Sequence, residues 1–358
     1  MDTAPLAAGA PLQPSVFSLS IRTPQQKDDI MIVITGGAGF IGSAIACRLN
    51  RRGIDDLLIV DHLGESEKWK NLVPLRYLDY LDRSDFIEKL ETNAFGNDIR
   101  TIFHLGACSS TTERNADFLM ENNYRYTARI AQWQTIHRDC RFIYASSAAT
   151  YGAGEQGYKD DAATLHRLRP LNMYGYSKHL FDLLARRKGW LDHMVGLKYF
   201  NVYGPNEYHK GDMRSVVNKA YPDVRDNGRI RLFKSYRRDY GDGEQVRDFI
   251  YVADAAAMTL FFLDHPEVNG IFNIGTGTAR SWNDVARALF SAAGKPVNIE
   301  YVPMPESLRG KYQYHTCADL SRLREAGCTH ACTPLEEAVR EYVRDYLALD
   351  SRLDPEKG

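Results

Sequence analysis

The chain reads as an α/β fold, a doubly wound parallel sheet with a smaller mixed α/β unit after it. Three observations predict this. Short apolar runs at 31–35, 57–60, 100–104, 141–145 and 194–199 have the character of parallel strands buried on both faces. Longer helical patterns at 40–52, 82–91, 116–136 and 172–188 fall between them, and that alternation lays helices on both faces of the sheet. Beyond residue 200 the rhythm breaks into shorter mixed segments richer in proline and glycine. The expected division is a sheet unit over 31–200 and a smaller unit over 201–350, with some segments of the latter returning to the sheet. In such sheets ligands bind at the carboxyl ends of the strands, so the residues just after each run are the ones to inspect.

Size and charge narrow the function classes. With 358 residues, the chain can bury a core that needs neither disulfide nor metal. Lys plus Arg number 45 and Asp plus Glu 46, for a net charge of -1. This excludes a sequence-wide attraction to nucleic acid or to an anionic membrane, so any anionic ligand must be held by local residues. No run approaches the roughly 18 apolar residues of a membrane span. Residues 1–30, with prolines at 5, 11, 14 and 24, read as a disordered extension. Asp2 and the prolines spoil a secretory signal, and Arg22 alone is poor for a transit peptide. Met31, just before Ile32-Val33-Ile34, is the expected natural start. The location that follows is cytoplasmic, with the cysteines at 47, 108, 140, 317, 328 and 332 reduced. Cys328-Thr329-His330-Ala331-Cys332 lacks the pair-plus-pair spacing and fourth ligand of a zinc site, so local packing is expected there and no metal.

The first strand run leads into Thr35-Gly36-Gly37-Ala38-Gly39-Phe40-Ile41-Gly42. Two glycine registers fit: Gly37, Gly39 and Gly42, or Gly36, Gly39 and Gly42. Missing side chains let the backbone turn sharply and approach a pyrophosphate, and the start of helix 40–52 offers its free N–H groups to it. Strand before and helix after make this a Rossmann-like dinucleotide signal, not a lone motif. The second run ends at Asp61, where an acid would bond the adenosine ribose and favour NAD. Lys68 and Arg83 stand nearby and would offset it, so NADP and NAD both remain open on these residues.

Tyr174 and Lys178, four apart at the start of a helical pattern, share one face. An ammonium beside a phenol lowers the phenol's pKa and fits it for general-base work. Strand 141–145 ends in Ser146-Ser147-Ala148, where Ser147 can bond a substrate oxygen beside the tyrosine. Glycine loop, strand-end serine and Tyr-x-x-x-Lys, in this order, resemble the extended short-chain dehydrogenase/reductase family, which includes nucleotide-sugar epimerases and dehydratases. Further segments narrow the match: Leu105-Gly106-Ala107-Cys108-Ser109-Ser110-Thr111-Thr112, Asn201-Val202-Tyr203-Gly204-Pro205, His209-Lys210-Gly211, Arg247-Asp248-Phe249 and Leu308-Arg309-Gly310-Lys311-Tyr312-Gln313. Over nearly all of 31–349 the chain resembles the ADP-heptose 6-epimerase branch of that family.

The resemblance implies an isomerase that inverts C6 of an ADP-heptose for lipopolysaccharide core supply. A tightly held NADP would remove hydride from C6 and return it to the opposite face of the carbonyl. It makes 31–200 the NAD(P)-binding unit and 201–350 mainly the substrate unit. It assigns Tyr174 and Lys210 as the two bases, with Lys178 and Ser147 assisting. The lowered lysine pKa this requires would come from a desolvated site near Lys178. Toward the cofactor it places Gly36, Gly39, Phe40, Ile41, Gly42, Asp61, His62, Lys68, Arg83, Leu105, Gly106, Ala107, Cys108, Ser109, Asn122, Lys178, Val202 and Lys210. Toward the substrate it places Asn201, Phe233, Arg247 and Tyr312, with Arg247 as a bidentate diphosphate partner. A homo-oligomer is implied. The chain departs from the family pattern at Asp212, which stands where serine is common, and at Lys219, which replaces a frequent histidine. Asp212 is expected to pair with Lys210 or Arg214. A UDP-hexose 4-epimerase or a sugar dehydratase is the alternative, although Ala148-Ala149 after Ser147 lacks a dehydratase's extra acid–base pair. A non-enzymatic dinucleotide sensor on the same fold typically loses the tyrosine that is intact here.

Overall fold

The computed structural model describes residues 31–309 and 312–357; the expectation for residues 1–30 lies outside them. Seven parallel strands form the main sheet: β1 (Met31–Thr35), β2 (Leu57–Asp61), β3 (Asp79–Asp82), β4 (Ile99–His104), β5 (Arg141–Ser147), β6 (Met194–Tyr199) and, after a long excursion, β10 (Gly270–Ile274). Their order is β10-β6-β5-β4-β1-β2-β3. The chain builds outward from β1 to β3, then crosses back to β4 and builds the other way. The switch lies between β1 and β4, where the two halves part and leave a crevice.

The strands form because their residues are apolar on both faces: β2, β6 and β10 are buried throughout. One face is covered by helices Phe40–Arg51 and Val252–Asp264, packed through Ile45, Leu49, Ala255 and Phe262. The other is covered by Arg83–Glu91, Tyr126–Ile136 and Met173–Arg187, through Phe86, Ile130 and Phe181. Local signals set the helix ends. Asn172 caps Met173–Arg187 by accepting from Gly175 N–H at 2.8 Å. Arg48 and Arg51 stand in the last turn of Phe40–Arg51, where cations favour the dipole.

The smaller unit is built on β7 (Asn201–Tyr203), β9 (Val246–Tyr251) and β11 (Ala279–Ser281) in the order β11-β9-β7, and on the pair β8 (Ile230–Phe233) and β12 (Ile299–Val302). Its core gathers Val217, Leu232, Leu289, Val339 and Tyr342. β7 pairs in parallel with β9, setting Asn201 opposite Phe249, so the strands of the smaller unit start where β6 ends, at the mouth of the crevice. Among the described residues no helix is long and apolar enough to cross a membrane. The Cys328–Cys332 segment is a packing device. His330 Nε2 lies 2.8 Å from Asp254 Oδ1, and Cys332 Sγ lies 3.8 Å from Gly275 O.

Candidate active site

At the switch point lies a cavity of about 850 Å³, reaching from the glycine loop to Tyr312. Gly36, Gly39 and Gly42 line it, which favours that register; Gly37 instead lies against Ile59 in the sheet. Gly36 takes a φ of +68, and a Cβ there would stand 2.7 Å from Gly106 N. A Cβ on Gly42 would stand 2.1 Å from Gly36 O. Gly39 brings no side-chain cap to helix Phe40–Arg51. The first bond back to the loop runs from Ser43 N–H to Gly39 O at 3.1 Å, so the N–H groups of Phe40 and Ile41 come before the first intrahelical bond, and both residues line the cavity. Free amides at a helix start, with no side chain in the way, fit a dinucleotide pyrophosphate.

A neighbouring pocket of about 190 Å³ shares Gly36, Asp61, Lys68 and Gly106–Cys108 with the cavity and adds His62, Arg83 and Asn122. Asp61 is buried and already engaged. Its Oδ2 accepts from Ala38 N–H at 3.0 Å and its Oδ1 from Lys68 Nζ at 2.6 Å. The acid expected to repel a 2′-phosphate is therefore charge-paired. Arg83 donates to Asn122 Oδ1, and His62 Nδ1 lies 3.1 Å from Asp82 Oδ2.

Leu105 to Ser109, Ser147, Tyr174 and Lys178 line the cavity along the ends of β4 and β5. The tyrosine corrects one expectation. Burial pushes the Tyr174 phenol up, a hydrogen bond with Ser147 pulls it back, and Lys178 does not lower it. The reason is geometric: Lys178 Nζ donates to Ala145 O at 2.8 Å. Burial also brings the Lys178 ammonium down to about 8, against a smaller opposing effect of Asp182. Ser147 Oγ accepts from Ala149 N–H at 3.1 Å, which holds the hydroxyl at the strand end.

Lys210 enters from the turn Tyr208–Met213 and lies 4.9 Å from the centre of the Phe40 ring, over the start of the glycine-loop helix. Burial lowers its pKa, opposed by Glu207; Lys178 plays no part in that shift. His209 beside it is pulled down to about 4 by burial and then by Lys68 and Lys210, so it stands neutral. Asp212 pairs with neither Lys210 nor Arg214 among the described residues. It accepts from Lys219 Nζ at 3.0 Å through its backbone carbonyl, while Arg214 donates to Gly211 O and Asn218 Oδ1.

On the far wall Arg247 is only 7% exposed, 5.1 Å from the Tyr312 ring centre and 5.8 Å from that of Trp282. It donates to Val246 O at 2.8 Å. Asn201, Val202 and Tyr312 line the same wall. Phe233 does not line the cavity; it packs edge-on behind Tyr312 at 6.5 Å.

Three polar residues near this site were given no role in the sequence reading, although Asn122-Asn123-Tyr124 is among the segments that carry the resemblance. Asn123, fully buried, accepts from Cys108 N–H and donates to Cys108 O, both at 2.9 Å, and donates to Ser177 Oγ at 3.1 Å. Asp182 accepts from Ser146 Oγ at 2.7 Å, Lys198 Nζ at 2.9 Å and Tyr144 hydroxyl at 3.1 Å. For Asp182 and Lys198 the signals were present: Asp182 is four residues after Lys178 on one helix face, and Lys198 is a charge inside an apolar strand, which requires a partner.

A parallel sheet with its cavity at the strand switch is the fold of the dinucleotide-dependent short-chain dehydrogenases and epimerases. The chain belongs to the NAD dependent epimerase/dehydratase family, whose model matches residues 32–275. Its relatives include the ADP-L-glycero-D-manno-heptose-6-epimerase of Nitratidesulfovibrio vulgaris, 56% identical over 318 residues, spanning 89% of this chain and 98% of that one. The enzyme of the same name from Fusobacterium nucleatum is 47% identical over 327 residues, with the same two shares. Among solved structures, the Helicobacter pylori ADP-L-glycero-D-manno-heptose-6-epimerase superposes with a TM-score of 0.74 at 26% identity, over 90% of this chain and 98% of that one. The Thermus thermophilus UDP-glucose 4-epimerase in complex with NAD gives 0.69 at 25% identity, over 87% and 97%.

Proposed function

We propose that this chain is an ADP-L-glycero-D-manno-heptose 6-epimerase, an isomerase converting the D-glycero to the L-glycero form for lipopolysaccharide heptose. The observation that carries the reading is that Tyr174 and Lys210, on different elements, both line one cavity beside a dinucleotide seat. Identity of 56% to an enzyme of that name supports it. Inverting a carbinol carbon through a carbonyl needs proton transfer at its oxygen while either face of C6 is presented. When bound, NADP would accept the hydride of C6 and give it back. The proton released from the C6 hydroxyl passes to one of Tyr174 and Lys210 on oxidation, and a proton returns from one of them on reduction. Ser147 would bond the reacting oxygen, and Lys178 would hold the nicotinamide ribose hydroxyls. Arg247, flanked by Tyr312 and Trp282, takes the diphosphate, with Asn201 on the sugar and Phe233 supporting Tyr312.

NADP over NAD is supported by the neutralised Asp61 and by the cations Lys68 and Arg83 around the adenosine pocket. The same reading makes 31–200 the cofactor unit, joined by β10, and 201–350 mainly the substrate unit. It also makes the protein a cytoplasmic homo-oligomer. A groove along helix Met173–Arg187 is lined by Leu180, Leu183, Leu184 and Tyr124 together with Arg186 and Arg187, a mixed surface of the kind protein contacts use. Incubation of the NADP-loaded protein with ADP-D-glycero-D-manno-heptose tests the proposal. Appearance of the L-glycero epimer supports it; no conversion, alongside turnover of a UDP-hexose, overturns it.

A further inference from the structure

The turn that carries Lys210 is tied down by a carboxylate given no role so far. Glu207 is 0% exposed, where an acid persists only with partners. Its Oε1 accepts from Ser215 Oγ at 2.6 Å, from the Tyr342 hydroxyl at 3.1 Å and from Gly204 N–H at 3.3 Å. Its Oε2 accepts from Ser215 N–H. Ser215 is also the cap of helix Val216–Asn227, accepting from Asn218 N–H at 3.2 Å. One side chain therefore joins the entry of the Tyr208–Met213 turn, its exit, and the core of the smaller unit. Tyr208, His209 and Lys210 are half-buried in the turn; the Tyr208 hydroxyl donates to Ser351 O at 3.1 Å and Lys219 Nζ to Asp212 O at 3.0 Å, and Glu207 adds the bonds that hold the turn's two ends together.

Asn206 supplies a second pin. It is fully buried at a φ of +74. Its Nδ2 donates to Ser43 Oγ and its Oδ1 accepts from Leu353 N–H, each at 2.9 Å. A non-glycine residue in that region is held there only when its surroundings over-determine it. The strained residue sits at the root of the Lys210 turn, against the glycine-loop helix.

We propose that Glu207 is a positioning residue for Lys210: its hydrogen-bonded carboxylate sits at the root of the turn that carries the amine and locks that turn in place. The proposal rests on reading Lys210 as a proton-transfer group. The groups that face Glu207 are Lys210, Ser215, Tyr342 and, further off, Tyr208. Those around Lys210 are Glu207, the Phe40 ring and His209, with Lys68 beyond the histidine. Among these, Glu207 is the group that raises the amine's proton affinity against burial.

The test labels the amine directly. The dinucleotide-loaded protein is treated with a lysine-acylating reagent across a pH series, and Lys210 modification is read by peptide mass spectrometry. In Glu207→Gln the midpoint of Lys210 labelling moves to lower pH, and labelling at pH 7 rises by about tenfold. Glu207→Asp, which keeps the charge, stays near the wild-type midpoint. In turnover, Glu207→Gln lowers kcat with KM little changed. An unmoved midpoint in Glu207→Gln, or an equal displacement in both variants, overturns the proposal. If Glu207→Gln does not fold, Tyr342→Phe removes one donor from Glu207 away from the cavity, and amide exchange over 208–213 then rises several-fold. Unchanged exchange overturns the proposal in that case. Lys210→Met with full turnover would instead sink the base assignment while leaving the labelling result standing.

Discussion

Gly42→Ala is the sharpest probe of the dinucleotide seat. In an ordinary helix the change is favourable by about 1 kcal/mol. Here the new Cβ would stand 2.1 Å from Gly36 O, 2.8 Å from Gly36 C and 2.9 Å from Gly37 Cα. All three are backbone atoms, so no rotamer change relieves the contact. Gly36 cannot retreat easily, because its N–H is bonded to Val60 O at 2.7 Å and Gly106 closes on its other side. Overpacking of this kind costs about 1–3 kcal/mol, which outweighs the helix gain at all but the low end. The expected result is a net loss of up to about 2 kcal/mol, lowering the melting temperature by up to about 3 degrees in a chain of this size. A loop pushed off its seat also loses its alignment to the pyrophosphate, so dinucleotide affinity should fall at least about tenfold, or ~1.4 kcal/mol. Calorimetric melting of the stripped protein and titration with NADP measure the two effects. A variant that melts at or above wild type and binds NADP equally well would refute the packing argument.

Four further outcomes follow from the same geometry. Lys178→Met should be inactive yet more stable near pH 7. The native ammonium's pKa of about 8 lies below its ordinary 10.5, so the penalty for charging it is full below pH 8 and vanishes as pH rises toward 10.5. The wild type should gain on the order of 3 kcal/mol over that window, and the variant should lack this rise in urea denaturation across the series. Arg247→Lys should raise the KM for the nucleotide sugar roughly tenfold with kcat little changed, since an ammonium has no fork to offer a diphosphate; steady-state kinetics checks it. Lys68→Met leaves Asp61 without its cation and should shift binding preference toward NAD, read as the ratio of the two dissociation constants. Asp182→Asn uncouples a fully buried ion pair and should cost about 3–5 kcal/mol in urea denaturation, most of it recovered by adding Lys198→Met.

Where burial is two-sided, the strands were readable: β1, β2, β4, β5 and β6 announce themselves as apolar runs. β3 did not, because Asp79-Tyr80-Leu81-Asp82 is a partly exposed edge with an acid at each end. β5 runs two residues further than expected because Ser146 and Ser147 still pair with Lys198 and Tyr199. β10 was hidden by the roughly 70 residues that separate it from β6 and by Asn273, whose side chain serves Tyr151, Tyr158 and Asp319. The helical pattern over 116–136 is interrupted by a π-helical stretch, Met120–Arg125, that periodicity alone does not reveal. In the site, the residues whose chemistry is tied to a local motif were legible, namely the glycines, Tyr174 and Lys178. Those that act through distant partners were not. Asn123, Asp182 and Glu207 take their meaning from contacts 15 to 135 residues away. The Tyr174–Lys178 relation shows the limit of spacing. Four residues put both on one face, but the end of β5 decides where the ammonium goes.

The return of β10 to β6 has a consequence for how the molecule is made. Synthesis delivers residues 31–199 first, and they contain six of the seven main strands. Until residue 274 emerges, β6 presents a raw outer edge, and the face later covered by Val252–Asp264 is bare. An unpaired edge beside uncovered apolar surface invites pairing with another chain. The excursion through β7, β8 and β9 is thus an insertion that must be threaded before the large sheet can close. A fragment cut near residue 200 should therefore collect in aggregates, whereas exchanging the inserted segment between relatives, with β10 kept, preserves the closure.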